Sequence, residues 1–290
     1  MRHTMKLQFL KQSNFAPAAM LLLLFIFSSA PALAELMINP TRIVFDKNQR
    51  SAQIDIVNSG TTPSTYRLSI VNRRMTESGQ FLAVTEPGAG DQFAGPMLTY
   101  SPRQIVLQPG GQQLVRIAVR KPADLAPGEY RSHLSFEKVA DPELVNSIES
   151  QVKPGAGEVG VKIAALIGVS LPIIVRHGQT DAGVTVSDIA LVKPKTAGEP
   201  SVIELQLNRT GSRSVYGDLT ATFKSAAGSE QIVARAGGVS VYTPNALRRV
   251  RLAIQTAGDA SLANGSLTVT YKERTDEGGK ILGESTIRIP

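Results

Sequence analysis

From residue 36 to the end of the chain, apolar and polar positions alternate over short runs. Ile54-Asp55-Ile56-Val57, Tyr66-Arg67-Leu68-Ser69-Ile70-Val71 and Gln113-Leu114-Val115-Arg116-Ile117-Ala118-Val119 carry the pattern in the first half. Val202-Ile203-Glu204-Leu205-Gln206-Leu207, Leu219-Thr220-Ala221-Thr222-Phe223, Val250-Arg251-Leu252-Ala253-Ile254, Leu267-Thr268-Val269-Thr270-Tyr271 and Ser285-Thr286-Ile287-Arg288-Ile289 carry it in the second. A period of two sends successive side chains to opposite faces of a strand. One face is then buried and the other wet, as in antiparallel sheets. Turn residues bound the runs, Pro109-Gly110-Gly111 among them, and no long stretch has helical periodicity. Short strands at this spacing predict an all-β chain of sandwiches.

The pattern breaks at Arg176-His177-Gly178-Gln179-Thr180, where a strongly apolar strand gives way to small polar residues. Two sandwiches in tandem, residues 35–177 and 178–290, are expected around a hinge there, each within the usual domain size. Residues 139–158 are poorly patterned, and loops of that length are uncommon unless mobile or functional. Gly110-Gly111 and Gly237-Gly238 both read as turns, without the Lys-Ser/Thr context of a phosphate loop.

The first 34 residues change the compartment. Arg2, Lys6 and Lys11 precede the apolar run Ala18 to Phe27, and Ala32 and Ala34 stand at −3 and −1 of a cleavage site. This predicts a signal peptide over residues 1–34, export, and a periplasmic location; an uncleaved anchor is the alternative. The run is shorter than the roughly 20 residues a spanning helix needs. Removing three basic residues and no acid lowers the formal charge from +7 to +4. The remaining basic residues are scattered, so nucleic acid is not an expected partner. There is no cysteine, hence no disulfide and no thiolate chemistry, and stability must come from apolar burial.

Catalytic chemistry is missing from the sequence. His133 and His177 are isolated and His3 lies in the leader, whereas zinc wants three or four clustered ligands. No Gly-x-Ser-x-Gly elbow is present, and Asp and Glu fall mostly in turns. No cofactor or metal is implied, and the chain is not read as an enzyme.

Four segments carry a family likeness. They are Asn39-Pro40-Thr41-Arg42-Ile43-Val44-Phe45; Ile54-Asp55-Ile56-Val57-Asn58; Pro102-Arg103-Gln104-Ile105-Val106-Leu107-Gln108-Pro109-Gly110 leading into Leu114-Val115-Arg116-Ile117; and Leu125-Ala126-Pro127-Gly128-Glu129-Tyr130-Arg131-Ser132. In this order they resemble the PapD-like periplasmic pilus chaperones, over residues 36–176, in a divergent, non-classical form. The resemblance implies two immunoglobulin-like β-sandwich domains in tandem, joined at a hinge. It also implies a mechanism. The chaperone lends its G strand to a pilin-like subunit that lacks one, and delivers it to an outer-membrane usher. Strand addition of this kind draws affinity from backbone hydrogen bonds and specificity from alternate side chains in pockets.

In this chain the donor positions are Val161, Ile163, Ala165, Ile167 and Val169, with the strand running over residues 159–171. Lys162, Ala164, Leu166 and Gly168 form the opposite set, expected to pack on the chain's own domain. Read without the family, the same run is an ordinary strand buried on both faces. The resemblance assigns Arg42 to the subunit's C-terminal carboxylate, which an Arg fork can grip with two hydrogen bonds. It assigns Arg176 to an ion pair at the hinge. Two departures stand out. Pro172 occupies the place of the family's G-strand lysine, which removes the second cation of the anchor, with Arg131 or Arg176 left to contribute. The family's Arg-Glu-Ser reads Tyr130-Arg131-Ser132, so the hinge pair is expected to have lost its acid. A free donor strand can also pair with another copy, so self-association is compatible with this reading. The alternative is an exported structural or adhesive protein of tandem sandwiches that keeps Val161 to Val169 in its own core. A hydrolase on a sandwich scaffold would need a pocket of acids or histidines that the sequence does not show.

Overall fold

A computed structural model describes residues 36–139, 168–194, 196, 199–255, 262–274 and 278–290. Among the described residues there is no α-helix; a single 3-10 turn, Gly95–Met97, interrupts eighteen strands. The first eleven are β1 (Leu36–Asn39), β2 (Ile43–Phe45), β3 (Ser51–Asn58), β4 (Ser64–Val71), β5 (Arg73–Met75), β6 (Phe81–Ala83), β7 (Leu98–Ser101), β8 (Gln104–Leu107), β9 (Gln112–Val119), β10 (Gly128–Lys138) and β11 (Gly168–His177). Nine of them form two sheets, in the orders β1-β3-β9-β7 and β2-β11-β10-β4-β8, and β5 pairs with β6 in a hairpin of its own. The alternation seen in the sequence sets the layering. Ile54, Ile56, Val115 and Ile117 from one sheet meet Leu68, Leu134, Phe136, Ile173 and Val175 from the other in one buried cluster. Each such side chain contributes about 1.5–3 kcal/mol when fully buried.

β1 and β2 belong to different sheets, and the segment Asn39-Pro40-Thr41 carries the chain across. β2 is only three residues long and is parallel to β11, pairing at Ile43↔Ile173, Val44↔Ile174 and Phe45↔Val175. Among the described residues, positions 168–171 of β11 have β10 on one side and no strand on the other.

The remaining strands are β12 (Ala182–Val192), β13 (Val202–Gly211), β14 (Val215–Ser225), β15 (Glu230–Val241), β16 (Leu247–Ala253), β17 (Gly265–Glu273) and β18 (Ile281–Ile289). They form sheets β12-β13-β16 and β15-β14-β17-β18 around a second cluster that includes Ile203, Leu205, Leu207, Phe223, Leu267, Val269 and Tyr271. The protein is thus two immunoglobulin-like β-sandwiches in tandem. Between β11 and β12, Gly178 has φ +67°, and a Cβ there would stand 2.8 Å from Pro127. Only glycine meets both demands without strain.

Two features differ from the sequence reading. Gly237-Gly238 is not a turn: both lie inside β15, opposite Asp218, where the register shifts between Gly217↔Val239 and Leu219↔Ala236. This is a β-bulge, with Gly238 at φ +68° and its N–H donating to Asp218 Oδ1 at 2.8 Å. The β5–β6 hairpin has no alternating signature, because three-residue strands are too short to show one. The long segment before β11, and the positions Val161, Ile163, Ala165 and Ile167, lie outside the described residues.

Asn58 ties two of the sequence motifs together. Its Nδ2 donates to Leu107 O at 3.1 Å and Thr62 O at 2.8 Å, while its Oδ1 accepts from Gly60 N at 3.0 Å. Its backbone exchanges hydrogen bonds with the turn at Gly110 and Gly111. Asn58 is fully buried, so truncating it strands polar groups that have no access to water. Asn58→Ala should lower the unfolding free energy by about 2–3 kcal/mol, read as a lower urea midpoint at unchanged slope.

Candidate functional site

The outer face of the β2-β11-β10-β4-β8 sheet turns toward the second sandwich. Within β11 the odd positions Leu171, Ile173 and Val175 pack into the first core, which leaves Pro172, Ile174 and Arg176 on the other face. Register aligns Val44, Ile174 and Arg131 in one row across β2, β11 and β10. Pro172, His133 and Val71 form the next row, and Glu129 stands opposite Arg176.

The second sandwich meets this face through residues 242–245 and Ser214. Ile174, Met75 and Tyr242 form a small buried cluster with Val44 against it. Asn245 Nδ2 donates to Met75 O at 2.7 Å, and Arg249 N to Glu77 O at 2.7 Å, so the β5–β6 hairpin of the first half is docked on the second.

Glu129 is the pivot of the seam. Arg176 Nε donates to its Oε2 at 3.1 Å, and its Oε1 accepts from Ser214 N at 3.0 Å and from Ser214 Oγ. Ser214 Oγ also accepts from Thr243 N at 3.0 Å. This corrects the expectation that Arg176 has lost its acid. The partner is Glu129, two positions before Arg131, because the antiparallel register places it directly across the ladder from Arg176.

Arg42 immediately precedes β2, and its guanidinium lies 4.6 Å from the centroid of the Tyr216 ring. Arg131 is 5 % exposed and sits 4.3 Å from the Tyr242 ring and 5.8 Å from the Phe81 ring. Its Nη2 donates to Arg73 O at 3.3 Å and to Thr243 O at 3.4 Å; its Nε and Nη1 have no partner among the described residues. Burial pulls the Arg131 guanidinium down from its ordinary range. Burial pushes the Tyr242 phenol up, and the charges of Arg42 and Arg131 pull it back. His133, 1 % exposed, packs edge-on to Phe81 at 5.0 Å. Burial first, and then Arg131 and Arg73, push its pKa down to about 3. Sequence reasoning treated His133 as an isolated residue and did not find Phe81, Tyr216 or Tyr242; nothing in their local pattern marks them, since they converge only through tertiary packing.

Of the donor positions, Val169 alone is described. It is 42 % exposed, stands opposite Phe136, and has the same parity as Leu171, Ile173 and Val175. Of the residues expected to alternate between subunit and own domain, only Gly168 and Val169 are described. Further along β11, Leu171, Ile173 and Val175, in phase with Val169, pack into the first core.

No protein-family model matches the chain. No curated protein matches it either. Among solved structures, the YadV chaperone is similar at 11 % identity and a TM-score of 0.45, over 88 % of this chain and 100 % of that one. The CsuC–CsuE chaperone–tip adhesion subunit pre-assembly complex of archaic chaperone-usher pili from Acinetobacter baumannii is similar at 11 % identity and a TM-score of 0.43, over 89 % and 100 %. The Salmonella enterica SafA pilin in complex with the SafB chaperone is similar at 13 % identity and a TM-score of 0.40, over 90 % and 99 %.

Glu129→Gln should destabilise the protein by about 3–5 kcal/mol in denaturant titration, because it leaves the Arg176 guanidinium buried without its counter-charge. His133 gives a pH dependence of definite sign. The unfolded chain binds its proton below about pH 6.5, whereas the native state refuses it down to about pH 3. The stability contributed by neutral His133 is complete above pH 6.5 and falls by about 1.4 kcal/mol per pH unit below it. His133→Leu should flatten this slope between pH 6.5 and 4.5, measured as the difference from wild type at each pH.

Proposed function

We propose that the chain is a periplasmic chaperone that binds pilin-like subunits by lending them the strand around residues 159–171, and passes them to an outer-membrane usher. The observation that carries this reading is the edge of β11 at residues 168–171, beside which no strand lies among the described residues, with Val169 exposed on the face that continues the first core. An open edge offers unpaired backbone donors and acceptors to an incoming strand. Apolar side chains at every second position, Val161 to Val169, suit the pockets of a subunit groove. Arg42, whose guanidinium lies against the Tyr216 ring of the second sandwich, is the proposed grip on the subunit's C-terminal carboxylate, and Arg176 braces the hinge through Glu129. Covering the subunit's own edge would keep it from aggregating until a successor strand replaces the chaperone's. No chemistry is needed for this role, and none of the described residues form a group of three or more His, Cys, Asp or Glu that could hold a metal ion.

Co-expression of the chain in a periplasm with pilin-like products of neighbouring genes should yield a complex that co-purifies. Ile163→Asp/Ile167→Asp should abolish it while leaving the chaperone folded, because a charge in a dry pocket costs several kcal/mol. A complex that survives the double substitution, or no complex from a well-folded wild-type chain, sinks the reading in favour of a structural tandem-sandwich protein.

A further inference from the structure

The end of the first sandwich next to the linker is basic. β2, β9 and β11 finish there, and β3 begins there. A cavity of about 590 Å³ lies among these strand ends. Apart from the linker residue Gly178, everything that lines it belongs to the first sandwich, so no group of the second takes part in it. Its cations follow from the pleat. Val119 and Val175 are the last inward residues of β9 and β11, and two positions further on stand Lys121 and His177. Two positions before Ala52, which packs on the same core, stands Arg50. Lys47 follows Phe45 by two, in a turn where Gln49 N donates to Asp46 O at 3.0 Å. The alternation that fills the core with apolar side chains thus ends, strand by strand, in a basic one. Arg120 adds a further guanidinium to the lining.

The charge in this cavity is poorly answered. Among the described residues, none of Lys47, Arg50, Arg120 and Lys121 has an ion pair with an acid. Arg176 also lines the cavity, but its guanidinium is engaged by Glu129. Asp46 is the one carboxylate in the lining among the described residues, and its Oδ1 accepts from Lys47 N at 2.8 Å. Lys121 is held in place. Its Nζ donates to Arg176 O at 2.5 Å and to Lys47 O at 3.3 Å, which uses two of its three N–H groups. Four cations and one acid around a concave wall concentrate a positive potential and repel one another. An anion bound there answers the potential and relieves the repulsion. We infer that this cavity is a binding site for a compact phosphate-bearing ligand, a phosphomonoester or pyrophosphate group, gripped by Arg50, Arg120, Lys47 and Lys121.

The arrangement suits phosphate better than an acidic peptide. Guanidinium forks hold phosphate oxygens bidentately, and ammonium groups add point charge. The cations come from three separate strand ends around one cavity instead of running along a groove. They therefore match charge concentrated on one group, not charge spaced along a chain. The volume falls in the range of small-molecule sites, roughly 300–1,000 Å³, and leaves room for a sugar or glycerol moiety beside the phosphate. Buried Val119 gives that moiety an apolar patch of wall. Nothing in this inference rests on strand donation.

The test uses the chain as purified from a periplasm, in dilute Hepes at an ionic strength fixed with sodium chloride. Calorimetric titration with pyrophosphate and with glycerol 3-phosphate should show saturable binding, and the amide NMR signals of residues 46–50, 119–121 and 176–178 should shift. Arg50→Gln/Arg120→Gln should weaken both affinities by at least about tenfold. Both side chains are exposed, so this variant should stay folded and melt no lower than wild type when phosphate is absent. Arg50→Lys/Arg120→Lys, which keeps the charge and loses the forks, should bind at intermediate strength, and it carries the test if the first variant does not fold. Vesicles identify the source of the group. Co-sedimentation with phosphatidylcholine vesicles that contain phosphatidic acid, but not with phosphatidylcholine alone, assigns the site to a lipid phosphate. Binding of glycerol 3-phosphate without co-sedimentation assigns it to a soluble phosphate compound. No saturable binding of either phosphate, or unchanged binding in Arg50→Gln/Arg120→Gln, overturns the inference. Tighter binding of oligoglutamate than of pyrophosphate also overturns it, and marks the cavity as a dock for an acidic polypeptide.

Discussion

A carboxylate buried at the seam of two sandwiches needs surroundings that replace the water it has lost. Glu129 meets that condition with a guanidinium from its neighbouring strand and a backbone N–H and hydroxyl from the other sandwich. One bond comes from the first half and two from the second. The charge can therefore be satisfied only when the halves stand in one relative position. Hydrophobic contact at the Ile174–Met75–Tyr242 cluster is less directional, and would tolerate a range of angles that this constellation does not.

With the halves held in that way, the face between them collects arginine and aromatic rings. Arg42 against Tyr216 and Arg131 against Tyr242 each pair a flat cation with a flat ring, one from each sandwich. Such contacts persist when partly desolvated, which suits a cleft that must hold positive charge away from bulk water.

How much of this could be read from the chain alone depends on whether the signal is local. The alternation at Ile54 and Ile56, or at Val115 and Ile117, is a direct image of one buried face, so the all-β sandwich was legible. The Pro109-Gly110-Gly111 turn was legible because glycine at positive φ leaves a mark that few other residues can. Gly237-Gly238 carries the same mark but sits in a bulge, since local sequence does not distinguish a chain that reverses from one that merely adds a residue. The acid opposite Arg176 was sought at Arg131, where a family motif would put it. The register that selects Glu129 is fixed by pairing across some forty-seven residues and is invisible in any short window. The rings of Phe81, Tyr216 and Tyr242 were illegible for the same reason, coming from three strands or turns that meet only in the folded protein.

β2 covers β11 for just three residues. Beyond that cover, the strand's inward-facing side chains leave the first sandwich without changing phase, so Val169 lies on the prolongation of the same apolar layer as Leu171 and Ile173. A strand or sheet that joined this edge would enlarge an existing core instead of pressing two finished surfaces together. Its thermodynamic signature would then resemble folding: a large negative change in heat capacity, with affinity that passes through an optimum as temperature rises.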